Sequence, residues 1–341
     1  MRHEAAEAVD RGDYPSGVTP WEDPAWRDAA LGWARDRLAD HGLRERGPVR
    51  VRLRPWSVLV RLDVGDHETV WFKANPPASH FEAGLGQALA AWVPEHVLAP
   101  LAVDADRGWS LLPDGGALFR EVLDRGAADP RAWEEPLRQY ALLQRALTGR
   151  TDELRAIGVP DGRAAVLPDI FDRLVDASRV LEPADRQALL AQRPRLVEWC
   201  EELASTGIAD SLDHSDLHES QLFARGEGRY AFFDWGDAIV AHPFSSLLVT
   251  ARMARERYGP EVLPRLRDAY LEPWTGDGSS TAELRRAVGL ACRLGAVGRA
   301  WSWARVFPGP DGDAHGNSRE AAEGTARWLR ELFAEPGLWP A

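Results

Sequence analysis

Strand-forming and helix-forming patterns are segregated along this chain, and that segregation limits its fold more than any other feature. Three runs rich in β-branched and aromatic residues follow one another at 49–54, 57–64 and 69–74, separated by Pro55-Trp56 and by Gly65-Asp66. Such runs joined by short turn-forming separators predict an antiparallel meander. Beyond residue 116 the apolar spacing is helical, over 133–147, 170–180, 186–203, 244–258, 282–305 and 319–333, with one β-like island at 221–234. Strands first and helices afterwards predict an α+β fold rather than an alternating βαβ one.

At 341 residues the chain exceeds one typical core, so two lobes are expected. A helix over 24–42, closed by Gly42, precedes the meander. A second helix is expected from Ser79 to about Trp92, with Glu82 in its first turns, and a further strand pair at 97–103 and 109–112. The break at Asp114-Gly115-Gly116 divides a helical extension (1–44) and a sheet lobe (45–114) from a helical lobe (115–341). Residues 311–317 read as a polar surface loop.

Two cysteines, Cys200 and Cys292, are too few for a disulfide framework. The polar, acidic start lacks the features of a secretory signal, and no segment approaches the roughly 20 apolar residues that span a bilayer, so a soluble cytoplasmic protein with no membrane partner is expected. A net charge of −12 argues against nucleic acid as a partner and is compatible with a cationic small molecule.

One compositional fact is sharper. Lys73 is the only lysine, and arginine supplies every other basic position. A surface cation has no need to be lysine in such a sequence, whereas a compact ammonium at a binding site cannot be replaced by a planar guanidinium. Lys73 is therefore a candidate functional residue before any motif is considered, and it falls near the end of the third strand.

The stretch His214-Ser-Asp-Leu-His-Glu-Ser-Gln221 is followed by a predicted hairpin and by Phe232-Phe-Asp-Trp-Gly-Asp237. With strands at 221–225 and 230–233 pairing symmetrically about Gly226 and Gly228, Gln221 falls opposite Asp234. Directly opposed residues have Cβ atoms about 5 Å apart, close enough for an amide oxygen and a carboxylate to share a divalent cation. Asp216 lies a few residues upstream. A carboxylate base, two metal ligands and a strand lysine are the parts that phosphoryl transfer requires.

These residues resemble those of a known family. The block HSDLHESQ is similar to the HxDxxxxN catalytic loop of protein kinases and closer to the HGDLHxxN form of aminoglycoside phosphotransferases; Asp234-Trp235-Gly236 resembles the metal-binding DFG segment, and Val70-Trp-Phe-Lys73 the strand that carries the nucleotide-binding lysine. The resemblance covers roughly 45–275, with its motifs in the expected order. It implies a protein-kinase-like two-lobed fold with Mg²⁺·ATP bound between the lobes. Asp216 would orient and deprotonate the acceptor hydroxyl, Gln221 and Asp234 would hold Mg²⁺, and Lys73, paired with Glu82, would contact the α- and β-phosphates. Adenine would bond to backbone near Leu112 and Pro113, and Ser57 is a candidate phosphate contact. The acceptor would be a small hydroxyl-bearing molecule such as an aminoglycoside or amino sugar.

Two departures stand out: Gln221 replaces the usual Asn, and Arg54-Pro-Trp-Ser57 stands where protein kinases have a glycine-rich loop. They leave open a nucleotide-binding pseudokinase that acts as a regulatory or binding module. A metal-dependent hydrolase would need histidine ligands, and neither HExxH nor an HxHxDH cluster occurs. In the kinase reading His214 supports the loop, Asp213 is a solvated neighbour, and Asp237 is either an exposed carboxylate or a metal or substrate contact. Trp274, Trp301 and Trp303 read as core or as an aromatic box for a cation. Glu201, Glu202, Asp210 and Asp213 are acidic candidates for attracting a polyamine.

Overall fold

The computed structural model describes residues 8–15, 17–65, 68–126, 129–276, 278–306, 318–334 and 339; the expected loop at 311–317 lies outside them. The chain divides into two compact units, one of Met1–Pro94, Leu98–Gly115 and Arg305–Ser318, the other of Glu95–Val97, Gly116–Ala304 and Arg319–Ala341.

The first unit is built on a six-stranded sheet in the order β1-β2-β3-β4-β6-β5, with β1 Ala8–Asp10, β2 Arg50–Arg54, β3 Ser57–Val64, β4 Glu68–Ala74, β5 Ala102–Asp104 and β6 Trp109–Pro113. The meander β2-β3-β4 is antiparallel as the separators require, and only β1, which the sequence did not suggest, pairs parallel with its neighbour. The expected strand at 97–103 is reduced to β5, because Pro100 offers no N–H to a ladder.

Helix α1 (Pro24–Asp40) starts where the Asp23 side chain accepts a hydrogen bond from the Ala25 N–H and Pro24 occupies the first turn. Its Trp26 and Trp33 rings stand edge-on to Phe72 of β4 and Trp109 of β6 at centroid distances of 5.6–6.5 Å. Side chains alternate along a strand, so with Phe72 committed to this aromatic core, Lys73 is delivered to the opposite face of the sheet. Helix α2 (Phe81–Trp92) carries Glu82 in its first turn.

The second unit is mainly helical: α3 Phe119–Arg125, α4 Glu134–Leu147, α5 Thr151–Ile157, α6 Leu167–Ala177, α7 Pro183–Ala191, α8 Arg193–Ser205, α9 Leu247–Tyr258, α10 Leu263–Leu271, α11 Thr281–Val306 (whose last two residues belong to the first unit) and α12 Ser318–Glu331 (whose first residue does too). The single helix expected over 186–203 is two, α7 and α8. Pro194 sits in the first turn of α8, where its missing N–H is harmless, but it cannot continue a helix from upstream. Two small antiparallel sheets interrupt the helices. One has the order β10-β9-β7 (β7 Ala117–Leu118, β9 Leu222–Ala224, β10 Tyr230–Phe232), and the other pairs β8 (Ser211–Asp213) with β11 (Ile239–Ala241). Among the described residues no helix is long and apolar enough to cross a membrane.

Trp109 is 3% exposed at the centre of the aromatic core. Trp109→Ala is expected to destabilise the first unit by about 3–5 kcal/mol, read as a lower urea midpoint; a midpoint within error of wild type would contradict this packing.

Candidate active site

Lys73 lies on β4 between β3 and β6, opposite Leu59 on one side and Ser110 on the other. The residue is 7% exposed, and its ammonium donates to Glu82 Oε1 at 2.7 Å. Glu82, 8% exposed, also accepts from the Asn75 side-chain amide on Oε2, and Asn75 donates to the Ser79 carbonyl at 3.3 Å. Asn75 thus clamps the carboxylate that holds the lysine. No motif marks Asn75, although asparagine occurs only at 75 and 317, a rarity of the same kind that marks Lys73.

The loop after β8 is stiffened from beneath. Asp213, expected to be a solvated neighbour, is instead fully buried. Its Oδ1 accepts from the Ser215 N–H at 2.8 Å and from Ser246 Oγ at 2.6 Å, and its Oδ2 from Ser215 Oγ at 3.2 Å. Ser215 needs this support because its φ of +62° is a left-handed conformation that side chains other than glycine adopt at a cost. The HGDLHxxN loop that this segment resembles has Gly at that position. Burial pushes the Asp213 carboxyl up, against the lowering effect of these hydrogen bonds. The same network takes in Tyr140, whose hydroxyl contacts Ser246 Oγ at 3.0 Å and accepts from the His214 N–H at 3.1 Å.

His214 connects the two motifs. With Nε2 2.8 Å from the Phe233 carbonyl, it donates to the residue just before Asp234, and its ring lies 4.7 Å from that of Trp235. His218 accepts from the Ser220 N–H on Nδ1 at 3.2 Å, which leaves its proton on Nε2, 3.8 Å from Asp216 Oδ2. Burial pulls the His218 pKa down, and the nearby Asp216 charge works the other way.

The hairpin register differs from expectation by one residue. Leu222 faces Phe232, so Gln221 is opposite Phe233, from whose N–H its carbonyl accepts at 3.1 Å. Asp234 leaves the ladder with φ +65°. That left-handed turn, tolerated by Asp better than by most residues, brings the two side chains together where the ladder alone does not. One terminal atom of the Gln221 amide lies 3.3 Å from Asp234 Oδ2 and 3.1 Å from the Ser220 carbonyl oxygen. With nitrogen on that side the amide donates to both; a half-turn puts Oε1 there, and three oxygens converge. Only in that second orientation could these oxygens serve a hard cation. Among the described residues there is no group of three or more His, Cys, Asp or Glu side chains with that capacity.

Arg299, on α11, was not singled out by the sequence. It is 8% exposed and places Nη2 3.0 Å from Asp216 Oδ1 and Nη1 3.5 Å from Asp237 Oδ1. Ser302, one turn further along α11, donates to the same oxygen of Asp237. Asp237 is accordingly half-buried and paired, not an exposed carboxylate.

The remaining candidates are more dispersed. Ser57 is buried at the start of β3 opposite Arg54, and Leu112 and Pro113 end β6 opposite Trp71 and Val70. Pro113 has no N–H, so it can offer a nucleobase only its carbonyl. Trp274 is core, edge-on to Phe244 at 5.2 Å, while Trp301 and Trp303 are half-buried on α11. Glu202 is paired with Arg286 and Asp213 is internal, so those acidic residues do not form a common patch. A concavity among Arg138, Arg265, Asp268, Glu272 and Arg285 contains none of the candidates, and its charges are paired with one another.

No family model and no curated protein matches the chain. Solved structures do. A macrolide 2′-phosphotransferase type I superposes with a TM-score of 0.56 at 18% identity, over 85% of this chain and 96% of its own. A choline/ethanolamine kinase family protein from Mesorhizobium loti gives 0.58 at 16%, over 90% and 96%. The GDP and kanamycin complex of APH(2")-IIia gives 0.58 at 14%, over 91% and 99%. The chain therefore has the kinase-like α+β fold of small-molecule phosphotransferases and kinases. At these identities the likeness defines the fold.

The buried Asp213 gives the loop a pH signature. An acid whose pKa is raised in the folded state binds more protons there than in the unfolded chain, so its contribution is present at low pH and is lost as pH climbs through the raised value. Asp213→Asn keeps an oxygen for Ser215 and Ser246 and cannot ionise. Its unfolding temperature is expected to gain on wild type as pH rises from the ordinary carboxylate range through the raised Asp213 value. Parallel profiles would contradict the assignment.

Proposed function

We propose that this chain is an ATP-dependent phosphotransferase that moves the γ-phosphoryl group to a hydroxyl of a small molecule, with Asp216 as the base. The observation that carries the reading is the buried ion pair between the chain's only lysine and Glu82. A buried ion pair contributes little net stability, because desolvation offsets most of the attraction. An ammonium held on a sheet by a clamped carboxylate is the arrangement that meets nucleotide phosphates.

In this reading Lys73 contacts the α- and β-phosphates. Gln221 Oε1 and Asp234 would hold Mg²⁺, which would neutralise phosphate charge. Asp216 Oδ2 accepts the proton of the acceptor hydroxyl as that oxygen bonds to the γ-phosphorus; the bond from phosphorus to the bridging oxygen breaks, and ADP leaves. Most of the acceleration then comes from positioning and from charge already in place. The macrolide, aminoglycoside and choline/ethanolamine enzymes that share the fold support an alcohol group as acceptor.

An ADP-release screen over aminoglycosides, macrolides, amino sugars, maltose-like sugars, choline and ethanolamine tests the reading. Turnover with at least one acceptor is expected, and Asp216→Asn is expected to abolish it, by about 10²-fold or more, with Mg²⁺·ATP affinity nearly unchanged. An Asp216→Asn variant with normal turnover would overturn the base assignment. Tight ATP binding with no ADP release from wild type would favour the nucleotide-binding regulatory module instead.

A further inference from the structure

We infer that Arg299 is the positioning residue of the base, an inference that rests on the phosphotransferase reading above. Asp216 sits on a loop, and a loop carboxylate turns freely unless something fixes it. Here one of its oxygens is engaged: Oδ1 meets the Arg299 guanidinium at 3.0 Å, while the His218 ring stands 3.8 Å from Oδ2, beyond hydrogen-bond reach. The Arg299 side chain is nine-tenths buried and grows from α11, a helix of 26 residues. It is therefore a rigid anchor, and its planar fork meets two carboxylates at fixed angles.

Its second contact gives the device its reach. Nη1 faces Asp237, three residues after Asp234, and Ser302 holds the same carboxylate from the next turn of α11. One helix face thus ties the base to the segment that carries the proposed metal ligand. Without the guanidinium, Asp216 and Asp237 lose the cation they share, and repulsion in a half-buried site works to turn them apart. With it, Oδ1 is committed, and Oδ2 is the oxygen that remains to take a proton. Among the described residues Nε of Arg299 has no hydrogen-bond partner, Nη1 meets Asp237 at ion-pair distance only, and Cζ lies 6.0 Å from the Trp328 ring, so burial of this side chain is compensated chiefly by the two carboxylates. A guanidinium kept for packing alone would be better replaced by an apolar side chain of similar size.

The test compares Arg299→Met, Arg299→Lys and Asp216→Asn in the ADP-release assay, with the best acceptor from the screen, or with water where no acceptor is turned over. Arg299→Met is expected to lower kcat about 10- to 100-fold, the effect of a base displaced by about 1 Å, and to leave KM for Mg²⁺·ATP within about two-fold. Arg299→Lys is expected to recover part of the loss, because an ammonium reaches one carboxylate but cannot bridge two. Wild-type kcat in Arg299→Met overturns the inference. So does a rise in nucleotide KM that matches the fall in kcat, or an Arg299→Lys variant no better than Arg299→Met at equal unfolding temperature. Should Arg299→Met fail to fold, Arg299→Lys is read against wild type, where an intermediate kcat supports the inference and an unchanged one sinks it. Asp216→Asn separates the levels: if it turns over normally, or if wild type releases no ADP in any condition, the phosphotransferase reading fails and takes this inference with it. If Asp216→Asn is dead and Arg299→Met is normal, only the inference fails.

Discussion

An ammonium and a carboxylate withdrawn from water together, Lys73 and Glu82, set the terms for the sheet unit. Neither charge tolerates burial alone, so each fixes where the other must be. The strand alternation that puts Phe72 into the tryptophan core leaves Lys73 no choice of face. The first turn of α2 then has to bring Glu82 over that face, and Asn75 and Ser79 fill the short connection that makes it do so. A pair of this kind adds little to stability, and in the proposed reading its presence is explained by what an oriented ammonium can bind.

The helical unit follows a different principle. Its proposed chemistry is carried on two short irregular segments, and irregular backbone must be over-determined to stay put. Ser215 and Asp234 both adopt left-handed conformations, and both are flanked by hydrogen bonds that hold them there. Asp213, Ser246 and Tyr140 form the floor beneath the first segment, and Gln144 extends it by donating to the Leu212 and Pro243 carbonyls at 2.8 and 2.9 Å. His214 reaches from the first segment to the Phe233 carbonyl in the second, and Arg299 bridges Asp216 in one to Asp237 in the other. The two segments are thereby a single construction, although a hairpin separates them in the chain.

Much of this was legible in the sequence because it is encoded locally. Turn residues between β-rich runs marked β2, β3 and β4 almost to the residue, and its solitude in an arginine-rich chain marked Lys73, while its pairing with Glu82 came from the family resemblance. What escaped depends on contacts between distant residues or on backbone conformation. The hairpin register slipped by one because symmetric pairing about Gly226 and Gly228 assumed that the ladder continues through Asp234, whereas Asp234 turns out of it. Asp213 looked solvated because nothing in its neighbours announces Ser246, 33 positions away, as its partner. Arg299 is one arginine among many, and only the packing of α11 distinguishes it. The division of the expected 186–203 helix was visible in Pro194, a signal outweighed by the apolar periodicity on either side.

The fold is shared with phosphotransferases of macrolides and aminoglycosides and with choline/ethanolamine kinases, whose acceptors differ widely while the frame is kept. In the proposed reading the frame is kept for the nucleotide, whose binding depends on Lys73. Calorimetric titration of Mg²⁺·ATP into wild type and Lys73→Met tests it most directly. Saturable binding by wild type, weakened about ten-fold or more when the ammonium is removed, is the expected result; equal affinity in the two proteins, or no binding by wild type, would contradict it.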